Sequence, residues 1–226
     1  MALALLGCML FFLDLPIAAW CKTTVFPDAV LWFLSFSERV ANGKDVAVLL
    51  MCLLVVDPSL RAVFAVRDTS TPAHERLAFP RIAAAALGGG IVVQIIKSFV
   101  PRVRPRVAEL ADFASSLATF GEPASGTSVS RYDLGSFPSG HAAVAAGFAT
   151  ALCWRYPHAT PLFCLLATSA ALQRVASSAH YPSDIAFGAA VGLLVAATVL
   201  PESKEPNHDD QRLSCDAPRS PKTAAG

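Results

Sequence analysis

Three short blocks in the second half of the chain end in groups suited to gripping a phosphate: Lys97-x6-Arg104-Pro105, Pro138-Ser139-Gly140-His141 and Arg174-x5-His180-x3-Asp184. Together they hold three positive charges, two imidazoles, one carboxylate and a Ser-Gly turn within about ninety residues. A phosphoryl group in transfer spreads negative charge over three oxygens, and fixed donors and cations stabilise that charge. Arg104 and Arg174 can each offer two parallel N–H groups, and Lys97 adds a compact point charge. Ser139 and Gly140 stand where an apolar run begins, and the free N–H groups and dipole of a helix N-terminus there favour an anion. His180 is the better nucleophile of the two histidines, because Asp184 follows at i+4 and can keep one ring nitrogen protonated while the other attacks. His141 is then the acid that protonates the leaving oxygen and later helps to activate water. No carboxylate cluster suited to Mg²⁺ accompanies the blocks, so a reaction without metal or cofactor is expected.

The elements that must position these groups are membrane helices. The chain of 226 residues is 54% hydrophobic and 15% charged, against roughly 45–50% and about 25% in soluble domains. Six apolar runs stand out, at Ala2–Leu13, Val46–Val56, Ile82–Val100, Gly140–Trp154, Leu162–Ala176 and Ile185–Leu200. The expected fold is therefore all-α, a polytopic membrane helical bundle of about six transmembrane helices occupying residues 1–200. Several runs fall short of the ~20 residues a spanning helix needs and must borrow flanking residues. The first is the weakest, since Asp14 and Pro16 follow it, and no basic segment or cleavage site marks it as a signal peptide.

Segment parity puts all three blocks on one side of the membrane, with both termini and the 57–81 loop on the other. The arginines of that loop (Arg61, Arg67, Arg76 and Arg81) make its side cytoplasmic by the positive-inside rule. Residues 15–43 read as a connection lying on the membrane surface, with Trp20, Phe26, Trp32, Phe33 and Phe36 as an interfacial aromatic belt. Val107, Leu110, Phe113, Leu117 and Phe120 recur near helical spacing, the pattern of an amphipathic surface helix that is either a lid or inert. Residues 201–226 are polar and Pro-rich and read as a disordered cytoplasmic tail. The six cysteines show no CxxC spacing and read as small buried hydrophobes. A net charge of +1 gives no reason to expect a nucleic-acid partner.

With these blocks in this order, the chain resembles the type 2 phosphatidic acid phosphatases, which share a core with the vanadium haloperoxidases. The blocks cover residues 97–184, and the layout of apolar runs extends the likeness to roughly 10–200. The resemblance implies a PAP2-like core and a lipid phosphate drawn from the bilayer as substrate. It implies the same roles: His180 as nucleophile, His141 as acid, Asp184 behind His180, and Lys97, Arg104, Ser139, Gly140 and Arg174 on the phosphate. The chain departs from the family pattern at Gln173, where Ser usually precedes the third-block arginine. By likeness the substrates are phosphatidic acid, phosphatidylglycerol phosphate, undecaprenyl pyrophosphate or lipid A phosphates. Short loops and the lack of an N-x-Ser/Thr sequon point to a bacterial inner membrane with the site facing the periplasm.

Plainer readings exist for single residues. Asp184 suits a helix N-cap, Lys97 can snorkel from a helix end, and Arg102 and Arg106 read as head-group contacts. His74, His158 and His208 are given no role. Two other functions use the same motifs: a vanadate-dependent haloperoxidase with His180 as ligand, which six apolar runs disfavour, and an inactive lipid-phosphate binder or transporter, which would have lost one of the blocks.

Overall fold

The computed structural model describes residues 2–39, 41–60, 77–121 and 129–201. Among them are seven α-helices: α1 (Ala2–Thr23), α2 (Asp28–Arg39), α3 (Gly43–Val56), α4 (Ala78–Lys97), α5 (Gly140–Arg155), α6 (Thr160–Ala176) and α7 (Pro182–Val199). Their starts are marked in the sequence. The Asn42 side chain accepts from the Lys44 N–H at 3.2 Å, Ser139 accepts from Ala142, and Pro161 and Pro182 occupy first turns where a missing N–H costs nothing.

The centre of the bundle is α4, α5 and α7, and small residues let them approach. A Cβ at Gly188 or Gly192 of α7 would overlap the backbone of Ser139 or Ala143 on α5, and one at Gly147 would overlap Ala85 on α4. In membrane bundles such contacts replace the hydrophobic drive that water supplies elsewhere. Gly188 matters most for the site, since it seats the start of α5 directly on α7. Towards the other end, Val46, Leu50 and Leu54 of α3 pack with Ile82, Val144 and Phe148. There Asp57 accepts from Arg155 and from the Tyr156 hydroxyl, each at 2.7 Å, and closes that end.

Outward faces are apolar: Met9, Phe12, Met51, Ile91, Ile95, Leu165 and Leu194 are all exposed. Among the described residues, four helices are long and apolar enough to cross a bilayer, at Leu5–Thr23, Ala78–Lys97, Pro157–Ala176 and Pro182–Val199. The protein is accordingly an integral membrane protein, but the expected six spans are not met. At ~1.5 Å per residue, the 14 residues of α3 and the 16 of α5 fall short of a ~30 Å hydrocarbon core.

Other expectations are also corrected. The first apolar run does not stop at Leu13: α1 continues through Asp14 and Pro16 to Thr23, because Asp14 is paired inside the bundle. The 15–43 connection is mostly helical, comprising the second half of α1 and all of α2, though Trp20, Trp32 and Phe36 are exposed. No helix forms over 107–120. The segment makes short 3-10 turns at Pro105–Val107, Leu110–Asp112 and Ser116–Thr119, tied to α1 by Lys22 Nζ donating to the Ala108 carbonyl at 2.6 Å and by Ser116 Oγ donating to that of Phe11. Of the cysteines, Cys21 is buried but Cys8, Cys52 and Cys164 are exposed, which an apolar outer face tolerates. Most of the 57–81 loop, His74, His208, Cys215 and the 201–226 tail beyond Pro201 lie outside the described residues.

Candidate active site

All eight residues singled out from the sequence gather at one end of the bundle. Three local arrangements bring them there. The first is the α4–loop junction, where Lys97 Nζ donates to the Gly135 carbonyl at 2.8 Å. Arg104 reaches the same carbonyl at 3.3 Å, donates to the Tyr132 carbonyl at 3.1 Å, and lies over the Tyr132 ring at 4.4 Å. One carbonyl thus holds two cations side by side. Beside them is a cavity of about 500 Å³ lined by Gln94, Lys97, Arg104, Arg131 and Tyr132.

The second is the start of α5. Ser139 is fully buried and its N–H donates to the Asp184 carbonyl at 2.9 Å, so the helix start bearing Gly140 and His141 is fixed against α7. The third is the turn from α6 to α7. The Arg174 carbonyl accepts from both Ala179 and His180 N–H, at 3.0 and 3.1 Å, and Ser178 takes a left-handed φ of 51° to close the loop. A five-residue spacer between Arg174 and His180 therefore folds back on itself.

His180 is 2% exposed. Its Nδ1 lies 2.7 Å from the Ser136 carbonyl oxygen. A carbonyl only accepts, so Nδ1 carries the proton and Nε2 keeps its lone pair. Burial holds the imidazole well below its usual range, down to about 4, and the nearby Asp184 only partly opposes this. Asp184 is not the hydrogen-bond partner expected from the i+4 spacing, since its Oδ2 stands 3.7 Å from Nδ1. That carboxylate is already occupied: Oδ2 accepts from Ser136 Oγ at 2.6 Å and from Tyr181 N–H at 2.9 Å, and Oδ1 accepts from Arg102. Tyr181 and not Asp184 is the N-cap of α7. Asp184, the third residue of the helix, accepts from the Tyr181 N–H, so one carboxylate secures the start of α7 and faces the histidine.

Sequence reasoning missed four participants. Arg102, read as a head-group contact, is fully buried and donates to Thr119 at 2.8 Å, Ser183 at 2.9 Å, Asp14 at 2.7 Å and Asp184. Removing one partner from a buried ion cluster of this kind costs about 3–5 kcal/mol. Asp14 was visible as a charge in an apolar run, a signal of function inside a membrane. Ser136 precedes the second block without a motif of its own. Glu38, in the last turn of α2, accepts from Arg174 Nη1, and its Oε1 is 3.8 Å from His141 Nε2. Among the described residues, the Arg174 side chain is otherwise held only by Gln173 Oε1 at 3.2 Å, and its buried Nε has no partner. Arg106 is not in the site; it donates to Asp133 at 2.6 and 3.1 Å on the surface. His158 lies in the turn between α5 and α6, at the far end.

Chemically, this is a cage of three cations around a neutral histidine with a free ring nitrogen. Such a site can bind an oxyanion and attack it. Among the described residues, no three His, Cys, Asp or Glu side chains converge as metal ligands.

The PAP2 superfamily model matches residues 80–204, more than half of the chain, and the protein belongs to that superfamily. The match takes in α4 to α7 and all three blocks. No curated protein and no solved structure matches the chain.

Proposed function

We propose that the protein is a membrane lipid-phosphate phosphatase that works through a phosphohistidine on His180, without a metal. The observation that carries this reading is the Nδ1 proton of His180 held by the Ser136 carbonyl, which leaves Nε2 as a lone pair in a cage of Lys97, Arg104 and Arg174. Nε2 attacks phosphorus, the P–O bond breaks, and His141 gives its proton to the departing oxygen. Burial and Arg174 hold His141 down to about 3, and the bound phosphate dianion supplies the charge that lets it carry that proton. Water then attacks phosphorus to form a new P–O bond, His141 takes the water's proton, and the N–P bond breaks so that phosphate leaves with the Nε2 lone pair restored. The arginine forks and Lys97 balance the charge on the three equatorial oxygens in both steps. Gly140 adds the N-terminus of α5, an anion site by geometry and dipole, and Ser139 fixes that helix start against α7.

The membrane helices support a lipid substrate, as does a cavity that is large for one phosphate, with room for a head group beside Arg131 and Tyr132. The natural setting is a bacterial inner membrane, the blocks facing the periplasm and the tail the cytoplasm. The test is phosphate release by purified protein from phosphatidic acid, phosphatidylglycerol phosphate, undecaprenyl pyrophosphate and lipid A, with and without chelator. Turnover of one or more substrates that withstands chelator and is inhibited by vanadate supports the reading. Strict dependence on Mg²⁺, or halogenation with peroxide and vanadate in its place, overturns it.

A further inference from the structure

We infer that Asp14 and Arg102 are positioning residues for phosphoryl transfer, acting through Asp184, which makes helix α1 a working part of the site; this rests on His180 being the nucleophile. The side chains of Asp14, Arg102 and Asp184 are all fully buried. One guanidinium serves two carboxylates: Arg102 Nη2 donates to Asp14 at 2.7 Å and Nη1 to Asp184. Ser183 ties the same group together, its N–H donating to Asp14 Oδ1 at 2.9 Å and its hydroxyl accepting from Arg102 at 2.9 Å. The rings of Tyr181 and Phe120 lie 4.1 and 4.6 Å from the guanidinium carbon and exclude water.

The charges do not cancel. Two carboxylates and one guanidinium leave one negative charge, and its nearest outlet is Asp184 Oδ2, 3.7 Å from His180 Nδ1. As the Nε2 lone pair becomes the N–P bond, the ester P–O pair leaves with the oxygen, which takes a proton from His141, and the His180 ring becomes cationic. In a dry site that cation needs a fixed negative neighbour. Asp14 supplies the surplus by drawing Arg102 away from complete pairing with Asp184. Neither Asp14 nor Arg102 lies among the groups of the phosphate cage, so their effect falls on the reacting histidine.

The experiment compares the full-length wild type with Asp14→Asn, Arg102→Lys and His180→Ala, reading kcat, KM and vanadate inhibition. Asparagine keeps an oxygen for the Ser183 N–H and loses the charge and the second oxygen, which accepts from Arg102 and from the Ser183 hydroxyl. Lysine keeps a charge and loses the fork that spans both carboxylates. Asp14→Asn is expected to lower kcat by about ten- to a hundredfold, the scale for groups that orient a reacting group from behind, with KM and vanadate inhibition unchanged. Arg102→Lys is expected to fall further in the same direction. A purely structural cluster predicts otherwise: loosening α1 would weaken vanadate and kcat together. Should Asp14→Asn fail to insert, the isosteric Thr119→Val removes the acceptor of Arg102 Nε, together with a local bond to the Ser116 carbonyl, and carries the same kcat-only expectation. Turnover that survives His180→Ala overturns the reading of the site itself. Turnover that needs His180 yet is indifferent to Asp14→Asn, or that falls in parallel with vanadate affinity, overturns this inference alone.

Discussion

The Nδ1 atom of His180 is bonded to the backbone carbonyl of Ser136 at 2.7 Å, and the carboxylate of Asp184 stands behind it at 3.7 Å. Tautomer and field therefore come from different groups. A side-chain change cannot remove the carbonyl, so the tautomer survives substitution of Asp184.

His180→Ala is expected to abolish both turnover and any trapped phosphoenzyme in protein that still inserts. Asp184→Asn is expected to retain the Nε2 lone pair but to slow phosphoenzyme formation by roughly a hundredfold or more, the scale of losing a major electrostatic group. His141→Ala is expected to lose about a hundred- to ten-thousandfold with an alkyl phosphate and much less with an activated aryl phosphate, whose leaving group needs no proton. Quenched-flow trapping of radiolabelled phosphoenzyme measures all three. A phosphoenzyme that persists in His180→Ala and sits on His141 reverses the roles.

The acidity of His180 sets the pH dependence. Burial lowers its proton affinity from the ordinary 6.5 to about 4, so it stays neutral and nucleophilic well into acid. The acid limb of kcat/KM that reports this group is expected near pH 4. Stability moves the other way. Between about pH 6.5 and 4 the unfolded chain takes up a proton that the folded site refuses, so folding weakens as pH falls through that window. A pH–rate profile alongside a pH series of melting temperatures tests both, and an acid limb at 6.5 refutes the assignment.

Glu38 already occupies Arg174 and stands beside His141, so an incoming phosphate must displace a carboxylate. Glu38→Gln is expected to tighten inhibition by inorganic phosphate and vanadate several-fold, since a charged competitor at short range is removed. The competition is read directly from the two inhibition constants. An unchanged or weaker constant in the variant shows that Glu38 does not compete for the anion site.

Orientation is open to chemical labelling. In a background lacking the six native cysteines, Tyr132→Cys is expected to react with an impermeant thiol reagent on intact cells and His158→Cys is not, because the two lie at opposite ends of the bundle. The reverse pattern places the site in the cytoplasm.

The sequence alone named the family and the candidate site residues. Motif spacing names Lys97, Arg104, Ser139, His141, Arg174, His180 and Asp184, and apolar runs alternate so that every block falls at the same helix ends. Composition made the chain a membrane protein, because 54% apolar residues in long runs cannot all be buried in a core of this size. It overcounted the spans, since an apolar run records what a segment buries and not how long its helix becomes. Tertiary structure alone decided who holds what. Asp14 meets Ser183 across 169 residues, Arg102 meets Asp184 across 82, and Glu38 meets Arg174 across 136. No periodicity encodes such pairs; they exist because glycines at 188 and 192 let α5 close on α7 and because α1 packs along α7 with its one carboxylate, Asp14, against Arg102. The Ser136 carbonyl was invisible for a simpler reason. Every residue has a carbonyl, and only the fold aims this one at a histidine.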